Sequence, residues 1–100
     1  MGKYVYIYYA GKDSADAGSM EAWNAWFGEL GDKLIDGGNP FNDGGQVVHQ
    51  GGVMDVEGPA ATGYTIVSAG SMDEATELAK GCPLMASKDG AVGVYEALPM

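Results

Sequence analysis

A chain of 100 residues is near the usual size of one domain, so it can bury one core but has no room for a second. Its 46% hydrophobic and 19% charged residues are typical of a globular protein. The net charge is −9, the five basic residues are scattered lysines, and there is no arginine. Because no basic stripe can neutralise phosphates, neither nucleic acid nor an anionic membrane is an expected partner.

The sequence predicts a cytoplasmic protein. Cys82 is the single cysteine, which rules out an internal disulfide and fits a reducing compartment. The first residues run directly into a strand pattern without the apolar segment of a signal peptide. No apolar run approaches the length of a membrane span.

The first part of the chain is predicted to form a strand, a loop and a helix. Residues 3–9 are mostly aromatic or β-branched, which is typical of a strand, and the Gly- and Asp-rich residues 10–18 predict a loop. Ser19 is a suitable N-cap for a helix, and Gly37-Gly38 is predicted to end it. Between them, apolar residues recur at helical spacing: Met20, Trp23, Phe27, Leu30 and Leu34.

The middle of the chain, residues 39–62, is rich in Gly, Asn, Asp and Pro. A short strand is predicted there at residues 46–50, and Gly58-Pro59 predicts a turn. The next strand is predicted at residues 63–69.

A second helix follows, introduced by a capping box in which Ser71 is the N-cap and Glu74 the third helical residue. Gly81 and Pro83 are predicted to end it. Residues 84–90 predict a loop and residues 91–98 the last strand. The inner face of the second helix is predicted to consist of Ala75, Leu78, Ala79 and Cys82.

The resulting order β-α-β-β-α-β predicts an α+β fold. Two split β-α-β units indicate a ferredoxin-like arrangement, in which a four-stranded antiparallel sheet carries both helices on one face. With no linker and no repeat, residues 1–100 are expected to be a single domain.

Both faces of the first strand are apolar or aromatic, which predicts a homodimer. One face presents Val5, Ile7 and Tyr9, and the other Tyr4, Tyr6 and Tyr8. Two helices cover only one face, and a fully solvated second face should carry more charge than three tyrosines. We therefore expect two copies to pack through the open faces of their sheets. The alternative is a monomer whose open face is aromatic and wet.

The chain resembles the YCII-related family, in its DGPF branch, over nearly its whole length. The resemblance implies the dimeric α+β barrel fold. It rests on the opening strand, both helices, the turn before the third strand and the closing strand: residues 3–7, 26–30, 34–38, 57–59, 63–67, 71–83 and 94–96.

Two motifs depart from the family. The branch is named for Asp-Gly-Pro-Phe, and this chain has Glu57-Gly58-Pro59-Ala60. Relatives carry a His early in the first helix that is proposed to form a catalytic dyad with an Asp, and residues 19–23 contain no His. The dyad therefore cannot be transferred to this chain.

Two residues are candidates for acid–base catalysis. His49 is the only imidazole and the natural candidate for an acid or base at neutral pH. The alternative, which a lone His favours, is a surface or interface His on a strand edge. Asp36 follows the first predicted helix, where a carboxylate is unfavourable against the helix dipole. Partial burial would raise its pKa and make it a base. The alternative is an exposed Asp at a helix end.

Aromatic residues are the candidates for ligand binding. Tyr6, Tyr8 and Tyr64 would hydrogen-bond a small polar ligand, and Trp23 would stack on a ring. Ordinary core and interface packing is the alternative. The glycine pairs match no nucleotide-binding motif, and no His/Cys cluster offers a zinc site, so no cofactor or metal is expected. Cys82 is expected to be a buried thiol.

Three functions remain open at this stage. The first is a cofactor-free enzyme that uses Asp36 or His49 in a pocket between helix and sheet. The second is a non-catalytic domain that binds a small ligand. The third is a dimerisation module without a pocket.

Overall fold

The computed structural model describes residues 1–9, 19–42, 45–56, 60–86 and 90–99. The loop predicted at 10–18, the turn at Gly58-Pro59 and most of the motif at 57–60 lie outside these ranges. The helices and strands are, in chain order, β1 (Gly2–Tyr9), α1 (Met20–Leu30), β2 (Leu34–Asp36), β3 (Gln46–His49), β4 (Gly52–Asp55), β5 (Ala61–Ala69), α2 (Met72–Ala79) and β6 (Ala91–Ala97). Short 3-10 turns occupy Gly31–Lys33 and Pro83–Ala86.

A four-stranded antiparallel sheet in the order β2-β5-β1-β6 forms the centre of the fold. β1 is a central strand, which fits its content of aromatic and β-branched residues. Both helices pack on one face of this sheet and enclose the core with it. The prediction of a mixed α+β fold with a four-stranded antiparallel sheet and two helices is confirmed.

The tyrosines of β1 are in the core, under the helices. Tyr4, Tyr6 and Tyr8 are 4%, 0% and 6% exposed. The Tyr6 hydroxyl donates to the Ala75 carbonyl oxygen of α2 at 2.6 Å, and burial raises the pKa of Tyr6 to about 12. Treating the tyrosine face as the open one was therefore wrong. Alternation along a strand separates the two faces but does not show which one the helices cover.

The face of the sheet opposite the helices carries aliphatic and aromatic side chains. Val5 lies beside Ile66 on β5 and Tyr95 on β6, and Ile7 lies beside Tyr64 and Gly93. Tyr95 is 56% exposed, whereas the two aliphatic residues of β1 are half-buried.

The first helix ends earlier than predicted. α1 stops at Leu30 because Gly31 takes a φ of +54°, and the Gly31 N–H bonds the Phe27 carbonyl oxygen. Leu34 opens β2, where it pairs with Val67 and packs against the core. The helical spacing of the apolar residues thus continues past the helix, because Leu34 reaches the same core from a strand.

The strand predicted at 46–50 forms as β3, but it does not belong to the main sheet. It pairs with β4 in a separate two-stranded hairpin whose eight strand residues are all exposed. The second strand of the main sheet is instead β2, within the segment predicted to be helical. The pairing partner of a short strand is a non-local property, so periodicity alone did not reveal it.

The second helix begins as predicted. Ser71 Oγ accepts from the Glu74 N–H at 3.1 Å, and Glu74 Oε1 accepts from the Gly70 N–H at 3.3 Å. The helix ends at Ala79, so Cys82 lies beyond it, although its side chain is buried. Burial raises the pKa of the Cys82 thiol to about 11.

Neither helix has the length and hydropathy needed to cross a bilayer, and the same holds for every other helical turn of the described ranges.

Candidate ligand-binding site

A cavity of about 360 Å³ opens between α1, the segment after β2 and the start of β5. This volume falls within the range of small-molecule sites. The described residues that line the cavity are Tyr8, Met20, Trp23, Phe27, Gly37, Gly38, Asn39, Pro40, Thr62, Gly63, Tyr64 and Leu84.

Aromatic rings form one wall of the cavity. The Trp23 ring meets the Tyr8 ring edge to face, with centroids 5.0 Å apart and planes at 77°. It also lies 6.0 Å from the Phe27 ring. Trp26, behind this wall, is buried and donates its indole N–H to the Leu78 carbonyl oxygen at 3.1 Å. The wall is therefore held by contacts with the core and offers ring faces and edges to a ligand.

The segment of residues 37–40 forms the opposite rim and is held tightly to β5. Pro40 forms a bridge with Gly63, and the Phe41 N–H donates to the Thr62 carbonyl oxygen at 2.8 Å. Gly38 has a φ of +74°, and a Cβ atom there would overlap the Tyr64 carbonyl oxygen. Only glycine fits this position, because both the backbone angle and the approach to β5 exclude a side chain.

A short chain of hydrogen bonds connects the two sides of the cavity. The Tyr8 hydroxyl donates to Thr65 Oγ1 at 2.6 Å, and Thr65 Oγ1 donates to the Gly37 carbonyl oxygen at 2.9 Å. Thr62 Oγ1 donates to the Tyr8 carbonyl oxygen at 3.3 Å. Burial raises the pKa of Tyr8 well above its ordinary value of 10, so its phenol is neutral at physiological pH.

Three of the four residues predicted to bind a ligand line this cavity: Tyr8, Tyr64 and Trp23. Tyr6 does not line it, because its side chain is 0% exposed and its hydroxyl is bonded to α2. The glycines of the rim were missed as lining residues because Gly37-Gly38 was interpreted only as a helix end. Their position just after the short run Leu34-Ile35-Asp36 was the available signal of a strand followed by a tight turn.

The two candidate acid–base residues lie in different sheets, and the structure does not bring them together. Asp36 ends β2, is exposed, and accepts the Gly38 N–H at 2.8 Å through Oδ1. It is therefore adjacent to the rim but not among the lining residues. His49 ends β3 in the separate hairpin, is exposed, and accepts the Gly51 N–H at 3.1 Å through Nδ1.

Within the part of the chain that the structure describes, no three His, Cys, Asp or Glu side chains come together as a metal site.

A family model described as YCII-related domain matches residues 3–100. The chain belongs to the YCII-related family. No curated protein matches it. The cavity of this YCII-related protein lies entirely within the matched range.

Proposed function

We propose that this YCII-related protein binds a small, mainly apolar molecule that contains a ring. The observation that carries the proposal is the cavity of about 360 Å³, one wall of which is built from the rings of Tyr8, Trp23 and Phe27. Among the lining residues that the structure describes, none is charged. Apolar walls with a few polar groups are the usual composition of a small-molecule site.

The rim offers a variant that should fill the cavity without disturbing the fold. A Cβ atom at Gly37 meets nothing within 4 Å, and Gly37 lines the cavity. Gly28 on α1 is the matched control, because a Cβ there also meets nothing within 4 Å and the residue does not line the cavity. We therefore expect Gly37→Leu to block ligands and Gly28→Leu to leave binding unchanged.

A thermal-shift screen of neutral ring compounds tests the proposal, because a ligand that binds the native state raises the apparent stability. A compound present at 100 times its dissociation constant adds about 2.7 kcal/mol to the free energy of unfolding. The shift should persist in Gly28→Leu and be lost in Gly37→Leu. If Gly37→Leu shows the same shift as the wild type, the ligand binds elsewhere and the cavity is not the site.

Cofactor-free acid–base catalysis in the same cavity is the second candidate function. It is supported by the Asp36 carboxylate, which bonds the Gly38 N–H and lies one residue from the lining Gly37. At this position Asp36 would take a proton from a ligand group that reaches the rim. His49 is the other proposed acid–base residue, and its part requires the hairpin to approach the cavity.

Substitution separates catalysis from binding. Compounds that give a thermal shift are incubated with protein and followed by mass spectrometry. Catalysis by Asp36 predicts that Asp36→Asn retains the shift and loses turnover, while His49→Gln tests the imidazole in the same way. If a compound binds and is never altered by the wild-type protein, the non-catalytic function stands.

We further propose that residues 1–100 form one ferredoxin-like domain of the dimeric α+β barrel type. The sheet order β2-β5-β1-β6, with the β3-β4 hairpin set aside, supports this assignment. The dimer would form through the sheet face opposite the helices, where Val5, Ile7 and Tyr95 lie on neighbouring strands. An apolar face of this kind is typical of an interface between copies. The single cysteine supports the cytoplasm as the proposed location.

Light scattering tests the dimer and the choice of face. The wild type should have twice the mass of the 10.3 kDa chain at micromolar concentration. Ile7→Glu places a charge on the open face and should yield a monomer. Val48→Glu is the control, since Val48 is 78% exposed on the hairpin. A monomeric wild type would contradict both the dimer and the function of a pure dimerisation module.

A further inference from the structure

The directions of the hydrogen bonds around the cavity are fixed by one carbonyl oxygen. The Gly37 carbonyl accepts only, so the bond of 2.9 Å from Thr65 Oγ1 uses the single hydroxyl proton of Thr65. The bond of 2.6 Å between Tyr8 and Thr65 must then use the proton of Tyr8. The Tyr8 hydroxyl therefore cannot donate a hydrogen bond to a ligand, but the lone pairs of its oxygen can still accept a hydrogen bond from one.

The hydroxyl of Thr62, another lining residue, also uses its proton within the protein. Thr62 Oγ1 donates its proton to the Tyr8 carbonyl oxygen at 3.3 Å. The hydroxyls of Tyr8 and Thr62 both belong to lining residues, and both can only accept from a ligand. Thr65, which fixes the direction at Tyr8, is 0% exposed, so water does not compete for its bonds.

We infer that the cavity selects ring compounds that carry a hydrogen-bond donor, an N–H or O–H group, over carboxylates and over isosteres that have only acceptors. This inference rests on the proposed binding function and specifies its ligand class. A carboxylate would face the two acceptor oxygens without a cationic partner among the described lining residues, in a chain of net charge −9. A donor such as an indole N–H or a phenol O–H would complete the chain of bonds that ends at Gly37.

Three probes that share one fused-ring shape test the preference by isothermal titration; the first two are nearly equal in size, and the third is larger by its carboxylate group. Indole has an N–H donor, benzofuran replaces it with an acceptor oxygen, and indole-3-carboxylate adds an anion. A hydrogen bond of ordinary strength predicts that indole binds roughly threefold to tenfold more tightly than benzofuran. Indole-3-carboxylate should bind more weakly than indole although it retains the N–H.

Two tyrosine variants test the part that the Tyr8 hydroxyl plays in this preference. Tyr8→Phe removes one of the two acceptor hydroxyls and should reduce the indole-to-benzofuran ratio. Tyr6→Phe also removes a buried hydroxyl from β1, but that hydroxyl bonds the Ala75 carbonyl and Tyr6 does not line the cavity, so the ratio should persist.

A third variant frees the proton of the Tyr8 hydroxyl and keeps its oxygen. Thr65→Val leaves Tyr8 without its acceptor, so the Tyr8 hydroxyl turns to the cavity as a donor and benzofuran gains relative to indole. Equal binding of indole and benzofuran to the wild type would overturn the inferred selectivity while leaving the binding function intact. Failure of all three probes and of the wider screen would overturn the binding function, and the selectivity with it. The ratio of the indole and benzofuran affinities is measured on the wild-type protein, so the test does not depend on whether a variant folds.

Discussion

Gly38→Ala should destabilise the protein far more than the neighbouring Gly37→Ala. A non-glycine residue at a left-handed φ such as the +74° of Gly38 costs about 1–2 kcal/mol. The added Cβ would also overlap the Tyr64 carbonyl oxygen, which belongs to a strand and cannot rotate away. The rim must then move off β5, which weakens the 2.8 Å hydrogen bond from the Phe41 N–H, worth about 0.5–1.5 kcal/mol. The sum predicts a loss of roughly 1.5–3.5 kcal/mol in the free energy of unfolding.

Gly37→Ala is the matched control, because its Cβ meets nothing within 4 Å and its φ is not positive. It should change the free energy of unfolding by less than about 1 kcal/mol, and a small stabilisation is expected from the reduced entropy of the unfolded chain. Urea unfolding followed by circular dichroism measures both variants. For a domain of this size, the Gly38→Ala loss corresponds to a fall of more than about 6 °C in Tm. Equal stability of the two variants would refute the close contact between the rim and β5.

Three further substitutions test contacts of the core and the helices. Trp26→Phe retains a ring but removes the 3.1 Å bond to the Leu78 carbonyl, and should cost about 1 kcal/mol or more in urea unfolding, since the substitution also removes buried ring area. Ser71→Ala removes the N-cap of α2 and should cost about 0.5–2 kcal/mol; a neutral result would show that the helix start is held by other contacts. The raised pKa of Cys82, about 11 against an ordinary 9.0, means that the thiol ionises first in the unfolded state. Its stabilising contribution is present below pH 9 and lost between about pH 9 and 11, so Cys82→Ala should lose less stability than the wild type over that interval. Parallel pH profiles of the two proteins would contradict burial of the thiol.

Local signals in the sequence predicted the elements that depend on local interactions. The capping box at Ser71 lies within one turn of the chain, and the structure confirms the hydrogen bond from the Glu74 N–H to Ser71 Oγ. The strands β1 and β5 have strongly aromatic and β-branched sequences and form within two residues of their predicted bounds. The early end of α1 depends on one backbone angle at Gly31. A glycine inside an amphipathic pattern does not by itself reveal whether the helix continues.

Non-local relations were the ones that the sequence left open. Which face of β1 the helices cover, and whether residues 46–49 pair with β5 or with β4, depend on residues far apart in the chain. The cavity shows the same division. Trp23, Tyr8 and Tyr64 were identifiable as aromatic candidates, but Gly37 and Thr62 come together in the site only because the rim pairs with β5, to which Thr62 belongs.

The β3-β4 hairpin should open locally at a lower free energy than the main sheet. Isolated two-stranded hairpins are marginally stable in water, and all eight strand residues of this one are exposed. Its backbone amides should therefore exchange with deuterium through local opening, whereas those of β1, paired on both sides, should exchange only when the whole domain unfolds. A partner that covers the hairpin would slow deuterium exchange of the hairpin amides and leave the exchange of the β1 amides unchanged. Hydrogen exchange would thus report contacts of the hairpin separately from the stability of the core.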